Sequence, residues 1–87
     1  MPVRELLAAR AQTHGDFAEV AATAQGLKDW WRSQAVWSRL SPVQREALDA
    51  DCVKCARIAH GDHNAIEHWE DRAGYAELVT LELGKAG

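Results

Sequence analysis

Apolar residues along this chain recur at helical spacing, and each run is bracketed by residues that start and stop helices. Pro2 suits a first helical turn, Leu6 and Leu7 give a small apolar face, and Gly15 stops the segment. Asp16 with Glu19 forms a capping box for a second helix over about residues 17 to 35. Phe17, Val20, Ala21, Ala24, Leu27, Trp31 and Ala35 fall on its apolar stripe. After a loop around Ser38 to Leu40, Ser41, Pro42 and Gln44 supply cap, first position and box for a third helix. That helix is predicted to run to about His60, with Gly61 as its terminator. Asn64 and Glu67 form a further box for a fourth helix, which is expected to end near Leu83, before Gly84. No alternating run marks a strand. The pattern predicts a single all-α domain over residues 1–87, a bundle of one short N-terminal helix and three longer ones.

Composition narrows the setting. Apolar content of 47% and charged content of 26% are those of an ordinary globular chain. A chain of 87 residues buries only about 60–65% of its unfolded surface, so stability is marginal and self-association into a homo-oligomer is expected. A net charge of −3 with scattered Lys and Arg gives no basic footprint for nucleic acid. No apolar run is long enough to span a membrane. MPVRELLAAR places a glutamate where a signal peptide needs its apolar stretch, so a cytoplasmic setting with Cys52 and Cys55 reduced is expected.

Acid concentrates in the second half, and part of it is regularly spaced. Glu46 and Asp49 form an E-x-x-D pair; Glu67, Glu70 and Asp71 form an E-x-x-E-D cluster. Residues three and four apart share a helix face. Helical geometry aligns Glu46, Asp49, Val53, Arg57 and His60 on the third helix, and Glu67, Asp71, Gly74 and Leu78 on the fourth. Two readings stay open. Each acidic stripe faces water, or the two stripes converge and hold a cation, for which hard oxygen ligands suit Mg²⁺. Val53 and Leu78 within the stripes, and Gly74 leaving space in line with the carboxylates, favour convergence.

Cys52-x-x-Cys55 and His60-x-x-His63 resemble a zinc pattern. The cysteines point to the apolar side and His60 to the acidic side, so the cysteines read as small core residues. His14 reads as a helix-boundary residue, with phosphate contact beside the second helix as the alternative. His68 reads as a packing or hydrogen-bonding neighbour of the acidic cluster. Of the tryptophans, Trp31 and Trp69 read as core. Trp30 and Trp37 read as exposed anchors for a partner or as a platform for a base.

THGDF (13–17), QGLKDWWR (25–32), LSPVQREALD (40–49), KCARIAHGD (54–62) and EHWEDRAGYAEL (67–78) together resemble a small phage and prophage family described as MazG-like. MazG-like proteins are similar to the all-α nucleoside triphosphate pyrophosphohydrolases, helical oligomers in which paired carboxylates on successive helices hold Mg²⁺. The resemblance implies metal ligation by Glu46, Asp49, Glu67 and Asp71, with Glu46 and Asp49 also catalytic. It implies nucleotide binding, with Lys54 and Arg57 on phosphate oxygens. That family's block is close to D-H-W-x-D, which matches Glu67, His68 and Asp71 and leaves Glu70 outside it. The alternative function is a non-catalytic phage accessory protein that binds a host or phage protein through its helical surface, with Trp30 and Trp37 in the contact.

Overall fold

The computed structural model describes residues 2–86 and is all-α. Four α-helices follow in order: α1 (Val3–His14), α2 (Phe17–Arg32), α3 (Pro42–His60) and α4 (Ile66–Ala86), with a 3-10 helix, Ala35–Arg39, between α2 and α3. The starts of α2 and α3 use the predicted caps, but the reciprocal bond of a full capping box forms only at Ser41–Gln44 and not at Asp16–Glu19. The Asp16 carboxylate accepts from Glu19 N at 3.2 Å. Gln44 N donates to Ser41 Oγ at 3.2 Å while Ser41 N donates to Gln44 Oε1 at 2.9 Å. Two expectations change. The second helix ends at Arg32, where Ser33 N turns onto Asp29 and Trp30 carbonyls, so Ala35 lies in the 3-10 helix. α4 starts at Ile66, its Asn64 N occupied by Asp62 Oδ1 rather than by a capping box, and it continues through Gly84.

α3 is the central helix. α2 and α4 each pack along it, and α1 makes lighter contact with α2 and α3. Ion pairs set the register of the α3–α4 hairpin: Arg72 bonds Asp51 at 2.6 Å and Lys54 bonds Asp71 at 2.9 Å. The α2 side of α3 is marked by Asp49, which bonds Arg32, and by His60, whose Nε2 lies 2.7 Å from Thr23 Oγ1. At 100° per residue Asp49 and His60 lie nearly opposite Asp51 and Lys54 around the helix. α3 is therefore covered on two sides, which is why its sequence shows no single apolar face.

The core is small. Val20, Ala24, Ala47, Cys52, Ala56 and Ala65 are the buried apolar residues, with Val53 packed against the Val20, Ala24 and Ala56 cluster. Trp31 and Trp69, expected in the core, and Phe17, expected on the apolar stripe of α2, all lie outside it, Trp31 half-buried. Phe17 is 83% exposed, and Trp69 is 47% exposed with its indole N–H donating to His63 O at 2.8 Å. The largest fully buried side chain is His68.

A tight elbow joins the end of α1 to the α3–α4 turn. Thr13 O accepts from Asp62 N at 2.8 Å and contacts His68 Nε2 at 3.0 Å. A carbonyl only accepts, so His68 carries its proton on Nε2. Gly15 sits at φ 88°, and a Cβ on it would lie 2.6 Å from the His60 backbone. Chain crossing at this closeness requires glycine.

Candidate functional site

The four carboxylates expected to hold Mg²⁺ are Glu46, Asp49, Glu67 and Asp71, and the fold does not gather them in one chain. Asp49 faces α2, where both its oxygens meet the Arg32 guanidinium at 3.1 Å. Asp71 faces α3 and is bonded to Lys54. Glu46 and Glu67 are exposed. The antiparallel hairpin separates them further: pairing of 51 with 72 and 54 with 71 puts Glu67 beside the end of α3, roughly 16 Å along the axis from Glu46 at 1.5 Å per residue. Among the described residues no three His, Cys, Asp or Glu side chains come together closely enough to hold a metal ion. Within one chain this donor set does not fit a divalent cation. Glu46 and Asp49, the implied catalytic pair, share a turn of α3, but a guanidinium occupies the second of them.

The Lys54–Asp71 pair has a clear electrostatic mark. The Lys54 ammonium, by hydrogen bond and by charge, holds the Asp71 carboxyl below the usual aspartate range. On the next turn towards the elbow, burial chiefly, and then the charge of Arg57 with that of His68, Lys54 and Arg10, lowers the pKa of His14 below 6.5. The His14 and His68 rings lie 5.4 Å apart. Of the two residues expected to contact phosphate, Lys54 is thus engaged by Asp71. Arg57 is half-buried and lines an open groove with His14.

That groove, about 780 Å³, lies between α1 and α2 with α3 as its floor. Leu7, Ala11, Phe17, Val20, Ala24 and Val53 supply apolar walls; Arg10, His14, Lys28 and Arg57 supply base. Asp16 is its one acidic lining residue, and that carboxylate is used as the α2 cap. A second concavity of about 400 Å³ lies between α3 and α4, lined by Leu40, Ala47, Leu48, Tyr75, Val79 and the Arg72–Asp51 pair.

The two cysteines do not join His60 and His63 in a metal-binding cluster among the described residues. Cys52 is buried, and Cys55 Sγ lies 3.6 Å from Asp51 Oδ2. Burial first, then nearby aspartates, raise both thiol pKa values above 9.0. Among the tryptophans, Trp30 is 56% exposed and edges Trp31 at 5.1 Å. Trp37 is half-buried, with the Arg32 guanidinium 4.9 Å and the Arg45 guanidinium 5.7 Å from its ring centroid. Cations thus hold the Trp37 ring, while Trp30 presents its surface outward.

Sequence reasoning missed Arg32, Arg72 and Asp51, the partners that organise the acidic residues. A usable signal existed: a turn centred near Asp62 puts positions summing to about 124 opposite each other, which places Arg72 beside Asp51 and Asp71 near Lys54. Comparison with protein-family models, with curated proteins and with solved structures finds no match to this chain.

Proposed function

We propose that this chain is a non-catalytic helical interaction protein that works by association through its outer apolar surfaces. One observation carries the reading: among the described residues thirteen large apolar side chains are exposed, while the buried apolar residues are none larger than valine. The exposed set includes Leu6 and Leu7 on α1, Phe17 and Trp30 on α2, and Ile66, Leu78, Leu81 and Leu83 on α4. So many exposed large apolar side chains over so small a buried core call for cover, which association supplies. The carboxylates support the same reading, because Asp49, Asp51 and Asp71 serve to join helices. The partners this reading implies are a second copy of the chain and a protein of host or phage, as the MazG-like resemblance suggests. Sedimentation equilibrium over a wide concentration range tests it: the expected result is a mass that rises with concentration, and a monomer throughout overturns it.

A second reading is nucleotide binding with Mg²⁺-dependent pyrophosphate release, in keeping with the same resemblance. One observation favours it: Arg10, Lys28 and Arg57, none in an ion pair among the described residues, line one open groove with His14, a setting that attracts phosphate oxygens. It requires carboxylates from a neighbouring copy, since one chain does not bring its own together. Release of pyrophosphate from nucleoside triphosphates, lost on Glu46→Gln substitution with the fold intact, would establish it. Equal behaviour of parent and variant in Mg²⁺ titration and turnover would reject it.

A further inference from the structure

We propose that the groove between α1 and α2 receives the outer face of α4 from a second copy, joining chains head to tail. The proposal rests on the association reading above and names the two surfaces that meet.

Charge is the first argument. The groove carries Arg10, Lys28 and Arg57, none in an ion pair among the described residues. On α4, Glu70 and Glu77 lie on the side turned away from α3 and Glu67 on the exposed flank next to Asp71, likewise without ion pairs among the described residues. The two halves of the chain differ accordingly: residues 1–45 hold six Lys and Arg against four Asp and Glu, and residues 46–87 hold four against nine. Opposed patches steer encounter and fix register when surfaces meet.

Shape is the second. The α2 wall from Asp16 to Lys28 runs roughly 18 Å, and the α4 strip from Glu67 to Leu78 roughly 16 Å, at the helical rise. Halfway along that strip stands Gly74, where a Cβ would meet nothing within 4 Å, next to exposed Ala73. A low centre between acidic rims lets a helix sit deep between two others. Ile66, Leu78 and Leu81 are 68%, 58% and 56% exposed and need apolar cover, which the exposed Leu7 and Phe17 walls of the groove can provide.

Direction is the third. α2 and α4 lie on opposite sides of α3, so the strip of one chain cannot reach its own groove. Contact between copies is heterologous, and such contacts close into rings or extend as filaments.

Charge reversal on the full-length chain tests the proposal. Arg57→Glu and Glu70→Arg are each expected to weaken self-association about tenfold or more at low salt. Mixed in equal amounts, they are expected to assemble again, because each reversed surface then finds its opposite. Far-UV circular dichroism and urea midpoints check that each variant folds; Arg10→Glu with Glu77→Arg provides a second, fully exposed pair. Recovery in either mixture supports the docking mode. Variants that associate like the parent, or mixtures that stay dissociated, overturn it while leaving association itself standing. A parent that stays monomeric overturns both.

Discussion

Replacing Gly15 with alanine is expected to destabilise the fold by about 3 kcal/mol or more, and the elbow geometry shows why. Gly15 holds φ 88° and ψ 176°, a conformation open almost only to glycine, costing roughly 1–3 kcal/mol for any other residue. The added Cβ would also stand 2.6 Å from His60 C and O. Those are backbone atoms at the end of α3, so relief requires moving the helix end or releasing α1. A fold of 87 residues has about 4–13 kcal/mol of total stability, so the loss is a large share of it. Gly26→Ala makes the same chemical change inside α2, where nothing lies within 4 Å, and is expected to stabilise by about 1 kcal/mol. Urea unfolding followed by tryptophan fluorescence measures both. A Gly15→Ala variant as stable as the parent would refute the elbow as described.

Arg72→Met removes the bond to Asp51 between partly exposed groups, so the expected loss is at most about 1 kcal/mol, smaller in high salt; a loss unaffected by salt would contradict an ion-pair origin. The lowered pKa of His14 means the folded state favours its neutral form. That contribution is complete above pH 6.5 and is lost as pH falls below it, so His14→Gln should flatten the urea midpoint through that range. Asp71, held low by Lys54, contributes stability above pH 3.8 that disappears as pH falls through its folded-state value, and Lys54→Met should abolish this dependence. With both thiols raised by burial, alkylation at neutral pH is expected to be slow, and slower at buried Cys52 than at Cys55; mass spectrometry of the labelled chain would show the reverse order if the α3 interfaces were otherwise.

Helix starts were the most legible part of the sequence, because capping is local: the Ser41, Pro42 and Gln44 signal and the Asp16 cap need only three or four residues to act. Helix ends and faces were harder to read. Gly84 does not end α4, since nothing packed nearby forces the chain to turn there. Within the stripe of Glu46, Asp49, Val53, Arg57 and His60, Asp49 and His60 meet α2 while Glu46 stays exposed and Arg57 lines the groove. A helix packed on two sides has no single polar face, so periodicity cannot say which side an acid serves. The same stripe placed Asp49 correctly on a face and could not supply its partner, Arg32, from 17 positions away. Phe17 fits the apolar periodicity of α2 but precedes the point where α1 and α3 close over it, and so stays exposed.

If the chain works through its exposed apolar surfaces, two-dimensional amide NMR of the full chain across a dilution series will register it. Concentration-dependent shifts and broadening are expected at Glu67, Gly74 and Leu78 on α4 and at Arg10, Val20 and Arg57 around the groove. A spectrum that does not change with concentration, joined by saturable Mg²⁺ shifts at Glu46, Asp49, Glu67 and Asp71, would contradict the account.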